Sequence, residues 1–164
     1  MTALILQQEI CKDIDALLSD RRYKAPDGEP SAPKCYRQFI PKRESEDDDD
    51  PFPYIEVRIA GGKIPDGESP QQVQVFLIIG VFDDDLQNNG TDAVMEMIDV
   101  IQKHYEETPL LAEKFVCDTE NSPIQWDLQE EESFPYFFGI MSLVFSIPAP
   151  RRVPVGNKKV EVLV

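Results

Sequence analysis

The sequence is poor in the side chains on which most metal sites and nucleophilic mechanisms depend. Its 164 residues include a single histidine, His104, and three cysteines, Cys11, Cys35 and Cys117. One histidine excludes a multi-histidine metal site, and a Ser-His-Asp or Cys-His mechanism would have to use that one position. The cysteines are far apart, odd in number and in no CxxC pair. The sequence therefore predicts neither a disulfide framework nor a thiolate zinc site, and it favours a reducing compartment.

Positive charge and long apolar runs are scarce as well. The chain has 31 acidic residues against 16 Lys and Arg, a formal net charge of −15, and a sequence pI near 4.3. Such a chain has no overall field that attracts phosphate, so we predict no specific nucleic-acid partner and no membrane partner. No apolar run approaches the roughly 20 residues that span a bilayer, and the N-terminus lacks the pattern of a secretory signal. These absences predict a soluble, cytosolic chain.

The hydrophobic pattern predicts two helices among several strands. Apolar side chains recur at helical spacing in residues 2–22 and about 90–105. Strand-like patterns occupy residues 36–40, 54–59, 73–82, 114–118, 123–128 and 136–147. The stretch 73–82 is apolar on both faces at its centre, which predicts a middle strand covered on both sides. We expect an α+β fold, a mostly antiparallel β-sheet covered by two main α-helices.

Composition divides the chain into a domain and a tail. Residues 1–148 are predicted to form a single α+β domain with a mobile acidic loop at 41–53, where six of the seven residues 44–50 are acidic. Residues 149–164 hold four basic residues and one acidic residue, so this segment carries +3 while the rest carries −18.

The tail is predicted to be a basic and apolar arm that docks on a neighbouring subunit or adds a strand to another sheet edge. The alternative is a frayed terminus. The predicted interface residues are Arg151, Arg152, Lys158, Lys159, Val160 and Val162.

An acidic turn resembles a calcium-binding loop. Residues 85–96 place oxygen-bearing side chains, Gly90 and Glu96 at several of the spacings of that loop. Asp92 occupies a position that the loop normally fills with an aliphatic residue, and a predicted strand precedes the segment where the motif needs a helix. A turn leading into the second helix explains the same residues.

A second acidic group, Asp83, Asp84 and Asp85, stands at the end of a predicted strand. Carboxylates there could hold Mg²⁺, but the sequence contains no phosphate-cradle motif, and a solvated loop is the favoured interpretation. We therefore predict a protein that is not an enzyme, with no catalytic residue, metal ligand or cofactor. The alternative is a metal-dependent enzyme that acts on a phosphate-bearing substrate through this Asp cluster. A small adaptor that uses the acidic loop against basic partners is a third hypothesis.

Two single residues and one cluster are given structural roles. His104, near the end of the second helix, is predicted to complement the negative end of the helix dipole. Trp126 is predicted to belong to the core. The aromatic residues 136–138 are predicted to be core or subunit interface, because no basic residues alternate with them.

The linear order of elements resembles a family. The features that carry the resemblance are the N-terminal helix, the strand PYIEVRI at 53–59, the strand ending GVFD at 80–83, the helix at about 90–105, Trp126, and PYFFG at 135–139 leading to a last strand that ends at Pro148. Over most of residues 2–150 this pattern is similar to the small tail-terminator, or tail completion, proteins of long-tailed bacteriophages and prophages.

The resemblance implies a non-enzymatic α+β subunit that assembles as a homohexameric ring. The ring would cap the tail tube, stop its polymerisation and take part in head-tail joining. The implied partners are further copies of the chain, the phage tail tube protein, and a head-completion or connector protein. The implied location is the virion tail, and the host cytoplasm during assembly. The acidic run and the basic tail have no counterpart in the family pattern.

Overall fold

The computed structural model describes residues 2–45 and 50–148, together with the backbone of residues 151–152 and 162–163. Within these residues the chain forms helices α1 (Ala3–Leu17) and α2 (Thr91–Glu107) and nine strands: β1 (Lys34–Arg37), β2 (Tyr54–Lys63), β3 (Gln71–Phe82), β4 (Leu110–Leu111), β5 (Phe115–Cys117), β6 (Gln125–Leu128), β7 (Tyr136–Ile147), β8 (Arg151–Arg152) and β9 (Val162–Leu163). The predicted α+β class is confirmed.

Helix α1 begins where the sequence predicts and ends earlier. Thr2 Oγ1 accepts a hydrogen bond from the Ile5 backbone N–H at 3.2 Å, which caps the first turn. The helix ends at Leu17 and not at residue 22. Ser19 Oγ bonds the Ala16 carbonyl at 2.9 Å, an interaction that competes with the helical pattern.

Strand β1 is short because the backbone turns at Gln38. This residue has a φ of 66°, in the left-handed region. Its side-chain amide takes over the pairing with the next strand: Oε1 accepts from the Ile59 N–H at 3.0 Å, and Nε2 donates to the Ile59 carbonyl at 3.2 Å. Gln7 Nε2, on α1, donates to Gln38 Oε1 at 2.8 Å and to the Val57 carbonyl at 2.9 Å, which fixes the helix to this corner of the sheet.

The main sheet has seven strands among the described residues, in the order β1-β2-β3-β7-β5-β4, and β6 pairs with β7 beside β5. The pairing of β1 with β2 is parallel and the other pairings are antiparallel, so the sheet is mixed and not wholly antiparallel. A parallel pair needs a long crossover, and residues 38–53 provide one.

One face of the sheet forms the core with both helices. Strands β3 and β7 alternate buried and half-buried residues, and Leu77 stands opposite Val57 on one side and Met141 on the other. The buried side chains of α1 and α2 belong to the same cluster, among them Leu6, Ile10, Ile14, Val94, Met97 and Ile101. The helices therefore cover a single face.

The second face of the central strand is not covered as predicted. Strand β3 does lie between two neighbours, but Phe76, Ile78 and Phe82 on this face are half-buried, whereas their neighbours Leu77 and Ile79 are fully buried. The apolar pattern on both faces is confirmed. Neither helix of the described residues packs on the second face, since α1 and α2 share the first.

The C-terminal segment pairs with itself where it is described. Arg151 stands opposite Leu163 and Arg152 opposite Val162 in a separate antiparallel two-stranded sheet. The other predicted arm residues, Lys158, Lys159 and Val160, lie outside the described residues, as do residues 46–49 of the predicted mobile acidic loop. In the part of the chain that the structure describes, neither helix is long and apolar enough to cross a membrane.

Candidate functional site

One face of the sheet is half-buried and is covered by neither α1 nor α2. At its centre, three cross-strand pairs join β3 to β7: Gln74 opposite Val144, Phe76 opposite Ser142, and Ile78 opposite Ile140. All six side chains are half-buried. We call the surface formed by these six residues the open face. It combines apolar side chains with neutral polar ones.

An aromatic cluster closes one end of the open face. The ring of Phe52 lies 5.0 Å from that of Tyr54, 4.7 Å from that of Tyr136 and 5.9 Å from that of Phe138, centroid to centroid. Gly80 lies beneath this cluster, and a Cβ there would collide with the Tyr54 and Phe52 rings. The segment after the acidic run is thus anchored on the sheet by Phe52, which defines where the open face ends.

Two adjoining cavities form a groove along the open face. They measure about 450 Å³ and about 360 Å³, and both are lined by Gly61 and Gln74. The pairing of β2 with β3 shifts register between Ile59 and Gly61, a bulge that bends the strand beside the groove. Because Gly61 and Gly62 carry no side chains, the groove stays open at this edge.

The lining of the groove is mostly uncharged. Gln74 Nε2 donates to Ser142 Oγ at 2.6 Å and to the Leu143 carbonyl at 3.2 Å. The charged residues among its lining are Lys63 and Asp127, and the lining includes no histidine and no cysteine. The rest of the lining consists of neutral amides, hydroxyls, glycines and apolar groups.

A buried ion pair lies near the open face. Glu56 is 4% exposed, and its Oε1 accepts from Arg58 Nε at 2.5 Å. The Arg58 guanidinium also lies 5.2 Å from the centroid of the Phe39 ring. Glu56 stands opposite Ile78 and Arg58 opposite Phe76, so the pair lies beside the open face on the same side of the sheet.

The predicted Asp cluster is tied into the protein's own contacts. Asp83 Oδ1 accepts from Lys24 Nζ at 3.0 Å and from the Asp85 backbone N–H at 3.0 Å. Burial acts to raise the pKa of Asp83, but these two donors outweigh it and the pKa is lowered from its ordinary value. Asp85 Oδ1 accepts from the Gln87 N–H at 2.9 Å, a turn contact.

The residues of the calcium-loop pattern are likewise dispersed. Glu96 Oε1 accepts from Arg21 Nη1 at 2.5 Å and from the Tyr23 hydroxyl at 3.0 Å, so it faces the segment after α1. Across residues 2–45 and 50–148, no group of three or more His, Cys, Asp or Glu side chains is arranged to hold a metal ion.

The predictions for two single residues and one aromatic cluster have different outcomes. Trp126 is 44% exposed, so its placement in the core was wrong, because β6 pairs with β7 at the rim of the sheet. Phe137 is buried in the core, whereas Tyr136 and Phe138 join the aromatic cluster. His104 is in the last turn of α2, as predicted, and its Nε2 lies 2.8 Å from Asp13 Oδ2 on α1.

One further pairing was not predicted from the sequence. Cys11 Sγ and Cys35 Sγ lie 3.1 Å apart, one on α1 and the other on β1. Their separation along the chain carries no signal, because only the packing of the helix against the edge strand brings them together. The open face could have been predicted in part from the sequence, because Gln and Ser residues alternate with apolar residues in parts of β3 and β7.

No protein-family model matches the chain, and no curated protein matches it. The resemblance to tail terminators stays a prediction. The predicted interface residues are represented in the structure by the backbone pairing of Arg151, Arg152 and Val162.

Proposed function

We propose that the protein is a structural subunit that assembles with copies of itself into a ring of the tail-terminator kind, which caps a phage tail tube and takes part in joining the tail to the head. The open face is the observation that supports self-assembly most strongly. A sheet with an apolar face is stable when that face is covered, and in the described residues both helices are on the other side.

The composition of the open face fits a subunit contact. Phe76, Ile78 and Ile140 are half-buried at its centre, and the polar residues Gln74 and Ser142 bond to each other. Contact surfaces between proteins combine apolar side chains with hydrogen-bonding groups. Adjacent apolar side chains that stay partly accessible on a folded chain are a common feature of interaction sites.

A face that meets a different surface of the next copy makes a heterologous contact. Such contacts close into a ring when the rotation between subunits permits it. The charge distribution supports a head-to-tail arrangement, because residues 149–164 carry +3 and the rest of the chain −18. In this proposal the arm residues, Arg151, Arg152, Lys158 and Lys159 among them, bind the acidic surface of a neighbour.

The acidic balance also suits a protein through which DNA passes. A lumen that carries net negative charge gives phosphates no gain from counterion release, so DNA would not adhere to it. The order of elements that resembles tail terminators, together with the α+β fold, supports the phage assignment. The proposed partners are the tail tube protein and a head-completion or connector protein, and the proposed location is the virion tail.

The experiment is a tube-capping assay with the tail tube protein encoded in the same genome. Tube protein polymerised with and without this protein would be measured by negative-stain electron microscopy. We expect shorter tubes that carry a ring at one end when the protein is present. The Phe76→Glu variant, which places a charge in the centre of the open face, should lose capping.

Leu86→Glu is the matched control. Leu86 is 90% exposed in the turn after β3, so the same charge there should leave capping unchanged. Circular dichroism melts of both variants verify that they fold. Tubes of equal length with and without the wild-type protein would contradict the terminator function, and equal capping by both variants would contradict the role of the open face.

A further inference from the structure

Two cysteines that the proposed function does not use meet between α1 and β1. Cys11 is on the buried side of α1, 8% exposed, and Cys35 is half-buried on the edge strand. The Cys35 S–H donates to Cys11 Sγ, with 3.1 Å between the sulfurs. Asp15 Oδ1, one turn further along α1, accepts from the Cys35 backbone N–H at 3.2 Å, which holds the strand at this distance from the helix.

The pair is reachable from solvent. A surface cavity of about 560 Å³ is lined by both cysteines, with Lys12, Arg37 and Phe39 also in its lining. A cavity of that size admits a small molecule. Lys12 and Arg37 give its lining positive charge in an otherwise acidic protein, which suits a small anionic reactant.

The two thiols are chemically unequal. The hydrogen bond from Cys35 lowers the pKa of Cys11, although burial and the nearby Asp15 act in the opposite direction. The pKa of Cys35 is raised by donating that bond and by burial. The third cysteine differs from both, because burial and then Asp118 raise the pKa of Cys117 to about 12 and it is 2% exposed. Thiolate character and access decide reactivity, and both favour Cys11 over Cys117 as the attacking thiol.

We propose that Cys11 and Cys35 are a reversible disulfide site whose reactant is a small anionic disulfide of the glutathione class. The Cys11 thiolate attacks one sulfur of the reactant. A bond forms between the protein and that sulfur, and the other half leaves as a thiolate. The Cys35 sulfur, after losing its proton, then attacks Cys11 Sγ and displaces the second half. The protein dithiol loses two electrons and two protons, and the reactant disulfide is reduced to two thiols.

The new bond would fix α1 to the edge of the sheet. Strand β1 pairs with β2 and has no strand on its other side in the described sheet, so its attachment to the rest of the fold depends on β2 and on α1. A covalent link from residue 11 to residue 35 closes a loop that includes the end of the helix and the whole connection to β1. By loop-closure entropy, we expect the melting temperature to rise by about 5–10 °C on oxidation.

The test uses the full chain, which is first reduced and then separated from the reductant. It is next incubated in buffers with increasing ratios of oxidised to reduced glutathione. After an acid quench, remaining thiols are alkylated and the protein is analysed by intact mass and peptide mapping. We expect a species that has lost two hydrogen atoms, carries one alkyl group on Cys117, and yields a linked peptide containing Cys11 and Cys35. Excess dithiothreitol should return it to the form with all three cysteines of the sequence alkylated.

Single variants separate the two steps. Cys11→Ser should abolish the intramolecular bond. Cys35→Ser should stop at a stable mixed disulfide between Cys11 and glutathione. Cys117→Ser is the matched control and should oxidise as the wild type does. The wild-type result stands by itself if a variant fails to fold. Three outcomes would overturn the proposal: three alkylated cysteines at every ratio, a wild-type bond that involves Cys117, or an oxidised protein that melts no higher than the reduced one.

Discussion

His104 Nε2 lies 2.8 Å from Asp13 Oδ2, and this contact joins the last turn of α2 to the middle of α1. The two side chains are 24% and 26% exposed. The sequence predicts a role for His104 at the end of its own helix, but the partner comes from the other helix, far away in the chain. The two helices that cover the core are therefore also bonded to each other at the protein surface.

Breaking that contact should destabilise the fold. We expect His104→Ala to lower the free energy of unfolding by about 1 kcal/mol, the ordinary contribution of one partly buried hydrogen bond. Asp13→Ala should cost a similar amount, and the double variant should cost less than the two losses added together, because the same contact is removed once. Urea denaturation measures all three.

Lys103→Ala is the control for this cycle. Lys103 is on the same turn of α2, with its side chain 70% exposed and its ammonium 4.0 Å from Glu107, and its loss should change stability by less than about 0.5 kcal/mol. Fully additive losses for His104 and Asp13 would show that the two side chains do not interact in solution.

The close approach of α2 to β7 depends on Gly139. A Cβ at this position would lie 2.6 Å from Val94 Cγ1 and 3.2 Å from Ile98 Cδ1. Gly139→Ala should therefore push the helix away from the sheet and cost about 1–3 kcal/mol. Gly61→Ala, in strand β2, is the matched control, because a Cβ there meets nothing within 4 Å. Thermal melts of both variants measure the difference, and equal melting temperatures would contradict the tight packing of α2 on the sheet.

Stability should fall at high pH, and two of the three buried tyrosines define the range. Burial and the Glu96 carboxylate raise the pKa of Tyr23 to about 12, and burial and the Glu56 carboxylate raise that of Tyr54 to about 12, from an ordinary value of 10.0. Between these values the unfolded chain loses the proton and the folded chain keeps it. The contribution is complete below about pH 10 and is lost as pH rises towards 12.

Tyr23→Phe measures that contribution. At neutral pH the variant should be less stable by about 1 kcal/mol, because the hydrogen bond to Glu96 is lost. Its stability should fall less steeply than that of the wild type through the alkaline range. Parallel pH profiles for the two proteins would show that Tyr23 ionises equally in the folded and unfolded states.

The enzyme alternative makes a different prediction, which calorimetry separates from the structural proposal. Asp83 is bonded to Lys24 and to the Asp85 backbone, so we expect millimolar Mg²⁺ or Ca²⁺ to give no binding heat and no shift in melting temperature. Lys24→Ala, which frees the Asp83 carboxylate, is the comparison. Saturable binding of either ion to the wild type, abolished by Asp83→Asn, would favour the metal-dependent enzyme over the assembly subunit.

Patterns within single segments predicted the main helices and strands, whereas strand ends and strand pairing depend on contacts between segments. The apolar alternation of β3 and β7 and the helical spacing of α2 are signals within one segment, and the structure has those elements close to their predicted places. Strand β1 ends where the backbone of Gln38 turns, and its parallel pairing with β2 requires a crossover connection. Neither feature produces a periodic pattern in the sequence.

The candidate site likewise has features that the sequence shows and features that depend on packing. The apolar second face of β3 was visible in the sequence, but whether anything covers it depends on where both helices pack, and they pack on the first face. Likewise, Cys11 and Cys35 meet because α1 lies against β1, and Glu96 bonds to Tyr23 because the segment after α1 contacts α2. The distance between two residues along the chain does not predict that they meet in this way.

The mass of the protein in solution tests the central claim, that the open face drives closed self-assembly. Native mass spectrometry of the full chain over a concentration series, alone and with the tail tube protein, gives that mass directly. We predict a discrete species of six times the 18.7 kDa chain mass for the wild type and for Leu86→Glu, and an 18.7 kDa monomer for folded Phe76→Glu. A wild-type protein that stays at 18.7 kDa at every concentration and with the tube protein present would contradict the account.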